Sequence, residues 1–158
     1  MGAVAMLLSA CHYLQPLDKP GMERQVAVPD TVKVLAYGYT EHGAIAGPVC
    51  QYRISADSYD AETCLLEYYN HDAHQTDSVE CPISLLRSVE NLVNEYNICH
   101  YETDYNDPDV LDGYSWDIEI QISNYVNYEH FYSHGNNARP KNDGWLMIKQ
   151  LLEKQIQK

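Results

Sequence analysis

At 158 residues, 45% of them hydrophobic, the chain is long enough for one domain with a short leader and too apolar to stay unfolded. Its 10 Lys and Arg against 23 Asp and Glu leave a net charge of -13, which argues against a nucleic-acid partner because little could neutralise successive phosphates. The same charge repels anionic headgroups, so membrane attachment would need a lipid or an apolar anchor. Fourteen Tyr against two Trp and one Phe point to strands and half-buried faces, where a ring packs while its hydroxyl keeps a polar partner. A glycan- or peptide-binding face is the second reading of that excess.

Residues Ala3 to Ala10 form an almost wholly apolar run, too short to span a bilayer and long enough for the core of a signal peptide. The run ends in Leu8-Ser9-Ala10-Cys11, which resembles the lipobox of bacterial lipoproteins: an aliphatic residue, two small residues and an obligatory Cys. The resemblance implies that residues 1–10 are a signal peptide. It also implies that the Cys11 thiol carries a diacylglyceryl group and that the mature chain is a membrane-anchored lipoprotein of the cell envelope, facing periplasm or exterior. His12 in place of Asp implies outer-membrane sorting in a two-membrane bacterium. No Lys or Arg precedes the apolar run, a departure from the charged start of a signal that a true start further upstream would account for. The other reading of this stretch is a short helix with a buried Cys11. Residues 11–30, with Pro16, Pro20 and Pro29, read as an extended tether, and residues 31–158 as a single α+β domain.

Within that domain, Thr31–Thr40 alternates as a strand, with Val32, Val34 and Ala36 on one side. Val49–Ser55 and Thr63–Asn70 alternate again, giving a three-stranded meander. His71–Glu80 is polar and reads as a loop. Pro82 suits the first turn of a helix over about 82–97, in which Leu85, Leu86, Val89, Leu92, Val93 and Tyr96 make the buried stripe. Arg87, Glu90, Asn91 and Asn94 then fill the opposite face. Asn97–Glu102 reads as a short strand and the next eleven residues as an acidic loop. Tyr114–Ser123 is a strand with Trp116, Ile118, Ile120 and Ile122 on one face, and Asn127–Gly135 is its hairpin partner. A second helix, about 143–156, is capped by Asn142 or Asp143. The pattern predicts an α+β fold: an antiparallel sheet of about five strands with both helices packed on one face.

The C-terminal half, with Asp112, Gly113, Trp116, Gly135, Asn137 and Pro140, resembles small bacterial domains that carry an Asp-Gly-x-x-Trp strand, a hairpin, a Gly-x-Asn-x-x-Pro turn and a closing helix. That resemblance covers about 45 residues and implies a fold, with no activity attached.

Once Cys11 is set aside, Cys50, Cys64, Cys81 and Cys99 remain, an even number that allows disulfides in an exported protein. Cys50 with Cys64 is the expected pair, on strands read as hairpin neighbours, and four buried free thiols are the alternative. Cys64, His71, His74 and Cys81 follow a C-x6-H-x2-H-x6-C spacing, looser than that of structural zinc sites. Asp104, Asn106, Asp107, Asp109 and Asp112 crowd one loop but miss the Gly and Glu of a calcium-binding EF-hand loop. Ser133, His134 and Asp143 are the residue types of a hydrolytic triad, which only geometry can define. Cys99-His100 offers a thiol beside a base, but adjacent strand residues point apart. The segment Ser133–Pro140 is read as a tight structural connection, in which Gly135 and Asn136 are residues that tolerate positive φ, with no partner implied for His134. Its ligand-loop alternative uses Ser133, His134, Asn136, Asn137 and Arg139. No catalytic set, metal site or cofactor is expected. The expected partners are a membrane, through Cys11, and a protein or glycan not identified by sequence. The function these readings support is a lipid-anchored cell-envelope protein with a binding or structural role. The alternative is a small hydrolase-like enzyme or metal-binding protein using the His, Cys and Asp loops.

Overall fold

The computed structural model describes residues 29–43, 48–70, 74–106, 114–123, 128–136, 138–140 and 142–157. The expected signal peptide at residues 1–10, Cys11 and all but the end of the expected tether at residues 11–30 lie outside the described residues. The fold is α+β. Seven strands run β1 (Val34–His42), β2 (Pro48–Ser55), β3 (Thr63–Asn70), β4 (Gln75–Pro82), β5 (Asp104–Asn106), β6 (Ser115–Ser123) and β7 (Tyr128–Asn136), with helices α1 (Ile83–Glu95) and α2 (Gly144–Ile156). They form one sheet in the order β4-β3-β2-β1-β6-β7-β5, antiparallel throughout except for the β5–β7 pair.

The sheet exceeds the expected five strands by two, for one physical reason. In β4 only Cys81 is buried, because this is an edge strand with water on both faces over most of its length, so the period-two apolar pattern that announces a strand is missing. Its residues Gln75 to Glu80, polar but for Val79, pair residue for residue with Asn70 to Leu65. The three-residue β5 lies at the other edge, within the expected acidic loop. The expected strand at Asn97–Glu102 is instead a 3-10 turn, Ile98–His100. Asn97 adopts φ 50°, the left-handed conformation that ends a helix and that Asn tolerates better than most residues. Pro82 closes β4 and stands just before α1 rather than inside it.

Strand β6 follows its pattern throughout: Trp116, Ile118, Ile120 and Ile122 are buried while Asp117, Glu119 and Gln121 face away. Strand β1 does not. Register shifts between Val34 and Ala36, and this bulge moves the core-facing set from Val32 and Val34 to Tyr37 and Tyr39. The helices cover the face that holds these residues. Trp145 of α2 stacks on Tyr39 with ring centroids 5.7 Å apart, and Ile148 and Leu152 are fully buried; burial of each such side chain contributes about 1.5–3 kcal/mol.

Helix α1 holds β1 with polar groups. Arg87, Glu90 and Asn94, expected on the exposed face of the helix, meet the entry of β1 instead. Val32 N donates to Asn94 Oδ1 at 2.8 Å and Asn94 Nδ2 donates back to Val32 O at 3.0 Å. Val34 N donates to Glu90 Oε2 at 2.7 Å, and Arg87 Nη1 donates to Val34 O at 3.2 Å. The ladder is irregular at the bulge, and these side chains satisfy backbone groups there. Asn142 does similar work at α2. Its Oδ1 accepts from Gly144 N at 3.1 Å and from the Tyr101 hydroxyl, while its Nδ2 donates to Tyr96 O at 3.0 Å. Asp143 makes no side-chain cap bond.

The expected Cys50–Cys64 pairing is excluded by register. Tyr52 pairs with Tyr68 and Ser55 with Leu65, which places Cys50 and Cys64 at opposite ends of the hairpin. All four cysteines are buried free thiols here.

Candidate functional site

Two arrangements collect side chains capable of chemistry. The first lies on the sheet face away from the helices. Because Trp116 and Ile118 face the core, Asp117 and Glu119 face outward, and register sets Asp117 opposite His134 and Glu119 opposite Tyr132. His134 Nδ1 is 2.8 Å from Asp117 Oδ1, and the Tyr132 hydroxyl donates to the same oxygen. His42 Nε2 stands 3.7 Å from Asp117 Oδ2. Beside this group, His130 Nδ1 lies 3.3 Å from Glu119 Oε1, and Arg53 lies 3.9 Å from both Glu67 and Glu119. Burial, then the bond to Asp117, pushes the Tyr132 hydroxyl well above the ordinary phenol range, so it remains a donor. Most of these ion pairs are half-exposed and individually weak. The contact with Asp117 orients His134 with Nδ1 engaged by a carboxylate, an arrangement suited to proton transfer at Nε2.

The second is a groove of about 380 Å3 between the far end of the β2–β3 hairpin and the last turn of α2, lined by Tyr52, Tyr68, Tyr69, Asn70, Glu153, Ile156 and Gln157. Tyr52 and Tyr68 are direct cross-strand partners, and the Tyr52 hydroxyl donates to Glu153 Oε1 at 3.2 Å. Burial, reinforced by the bond to Cys50, drives the Tyr52 hydroxyl far above the ordinary range; it is neutral in any physiological medium.

The triad reading does not assemble. Ser133 and His134 are neighbours on a strand and face opposite ways: Ser133 is buried and donates to Glu102 O at 2.6 Å. Asp143 lies at the start of α2, and the carboxylate at His134 is that of Asp117. The expectation that His134 lacks a partner is thereby corrected. The tight-connection reading of Gly135 and Asn136 is corrected too, since both belong to β7. What Gly135 provides is space. A Cβ there would lie 2.2 Å from the indole of Trp116, whose Nε1 donates to Ala138 O at 2.7 Å. In the proposed ligand loop, Asn136 is exposed, Asn137 lies outside the described residues, and Arg139 donates from Nε to the Tyr114 hydroxyl with its guanidinium 5.4 Å from the Trp145 ring.

Of the zinc pattern, Cys64 and Cys81 are buried, His74 is exposed at φ 52°, and His71 lies outside the described residues. Of the acidic loop, Asp104 belongs to β5, the side chain of Asn106 is not described, and Asp107, Asp109 and Asp112 lie outside the described residues. Cys99 is buried and His100 exposed on the 3-10 turn. Among the described residues no group of three or more His, Cys, Asp or Glu is placed to hold a metal ion, and no helix is long and apolar enough to cross a membrane.

Sequence reasoning missed Asp117 as the partner of His134, and it missed the groove. A signal existed for the first: both residues are outward-facing positions of a recognised hairpin, and only the exact register was lacking. No protein-family model matches the chain, and a search of curated proteins returns no match.

Proposed function

We propose that this chain is a lipid-anchored binding protein of the bacterial cell envelope that takes a neutral, hydroxyl-rich ligand, a glycan segment, in its tyrosine groove. The observation that carries the binding role is the lining itself. Tyr52 and Tyr68 offer ring faces for the C–H faces of sugar rings, and Asn70, Glu153 and Gln157 offer donors and acceptors for their hydroxyls. The volume suits a small ligand. The net charge of -13 and Glu153 in the groove disfavour an anionic one. Support for the anchor comes from Leu8-Ser9-Ala10-Cys11.

Calorimetric titration with chitotetraose and maltotetraose tests the ligand class. Saturable binding of either, weakened at least about tenfold by Tyr68→Ala as expected for loss of a stacking platform, is the expected result. No heat with either sugar at millimolar concentration sinks the glycan reading. The anchor is tested separately. Cys11→Ala moves the protein from the membrane fraction to the soluble one, and a native protein that is soluble and retains Met1 overturns it.

A second reading, a small enzyme of hydrolase type, rests on the 2.8 Å contact of His134 with Asp117. Under it, His134→Gln abolishes a turnover that Tyr68→Ala leaves intact.

A further inference from the structure

We propose that Cys64 and Cys81 form a disulfide that pins the edge strand β4 to the body of the sheet. Four observations lead there. The two residues are directly opposed across the β3–β4 ladder. Both side chains face the core and are buried, at 3% and 1% exposure. The ladder bond from Ile83 N to Glu62 O sets the alternation of the pair, making Cys64 and Cys81 a hydrogen-bonded couple whose Cα atoms stand about 5.5 Å apart, inside the roughly 4.4–6.8 Å range a disulfide bridges. Finally, Cys81 is the only core-buried residue of β4. Little else ties that strand inward, so a crosslink at this position secures what packing does not.

As reduced thiols the pair sits uncomfortably. Cys64 Sγ donates to Pro82 O at 3.4 Å and Cys81 Sγ to Val79 O at 3.8 Å, both weak bonds. Burial pushes the Cys64 thiol above its ordinary ionisation range, and the neighbouring Cys81 pushes it further in the same direction. Both folded thiols are shielded from solvent by burial, so the bridge forms while β4 is still unpaired or frayed. The oxidant is a small-molecule disulfide such as glutathione disulfide. One cysteine thiolate attacks a glutathione sulfur and expels a glutathione thiolate. The second cysteine thiolate then attacks the mixed disulfide at the protein sulfur and expels the other. Two protein thiols lose two protons and two electrons, and one glutathione disulfide becomes two glutathiones.

The test is peptide mapping of the full chain after refolding in glutathione buffer, with free thiols alkylated under denaturing conditions. The expected result is a peptide joined through Cys64 and Cys81, 2 Da lighter than its reduced parts, with Cys50 and Cys99 alkylated. Reduction is expected to lower the Tm by about 10 °C, the effect of opening a loop of this length, and the Cys64→Ala/Cys81→Ala double variant shows no such dependence on reductant. Alkylation of both Cys64 and Cys81, or a bridge from either to any other cysteine, overturns the proposal. Mapping of the parent chain decides the matter even if the variant fails to fold. Neither groove binding nor membrane attachment enters the readout.

Discussion

Tyr37 is fully buried opposite Ile120, and its hydroxyl finds no hydrogen-bond partner among the described residues. A buried hydroxyl without a partner costs about 1–3 kcal/mol. Tyr37→Phe keeps the ring and removes that cost, so it is expected to raise stability by about 1 kcal/mol, read as a higher urea midpoint at unchanged slope. A lower midpoint would show that the hydroxyl is satisfied. Gly135 is the opposite case. With a Cβ at 2.2 Å from an indole already tied to Ala138, Gly135→Ala must displace Trp116 from the core, a strain of about 1–3 kcal/mol. Thermal denaturation together with tryptophan emission checks this, since the displaced ring should also shift its spectrum. An unchanged Tm and spectrum would mean the indole yields without cost.

Among the elements, β6 and α2 were legible because their apolar residues recur at the period of the structure they form: Trp116 to Ile122 at two, and Trp145, Ile148 and Leu152 at three to four. What stayed illegible depended on tertiary context. The largely polar stretch Gln75 to Glu80 becomes a strand only because β3 offers it an open edge. The face of Tyr37 and Tyr39 follows from a bulge, and one inserted residue inverts every later side chain. Asp117 meets His134 through a register that periodicity does not specify. Charged residues opposite an apolar stripe read as solvated, yet Arg87 and Glu90 close on the backbone of Val34. Glu90 also accepts from the Tyr59 hydroxyl at 2.9 Å. Glu90→Ala therefore strands Val34 N, Tyr59 and Arg87 at once, and a loss of about 3–5 kcal/mol is expected from breaking a buried charged pair. Hydrogen exchange should show the start of β1 opening first; uniform protection there would argue that Arg87 and Asn94 suffice.

For the whole molecule, the tyrosine content carries a pH dependence. Burial pushes Tyr101 up to about 12 and moves Tyr37, Tyr39 and Tyr52 further in the same direction. Unfolded, these phenols ionise near pH 10. From pH 10 to 12 the native state therefore holds protons that the unfolded chain has released, and stability falls as pH rises through that window. Lys149 adds to the same slope: burial acts to lower its ionisation, but the bond to Glu41 and nearby acids outweigh it and hold it above the ordinary range. Alkaline titration followed at 295 nm should show the buried phenols ionising only together with loss of circular dichroism. Gradual ionisation of every phenol near pH 10 with the fold intact would contradict this.

The exposed edge of the sheet bears on how copies of the protein meet. Strand β4 ends the sheet among the described strands and presents an unpaired row of amides and carbonyls. Exposed Leu65 and Val79 lie within the β3–β4 pair. Asp77 and Glu80 punctuate that edge, and the Asp77 carboxylate is held by Asn70 Nδ2 and Gln75 Nε2, each at 2.7 Å. A second copy approaching edge to edge would press like charges together in a medium too dry to screen them. Asp77→Thr with Glu80→Thr lifts that repulsion and adds β-branched side chains suited to strand pairing. The double variant is expected to self-associate with rising concentration, as light scattering after size exclusion would record, under conditions where the parent mass does not change. Under the proposed lipid anchor, neighbours confined to a plane would encounter this edge far more often than molecules free in solution, and the two carboxylates would act there as spacers that keep adjacent sheets from continuing into one another.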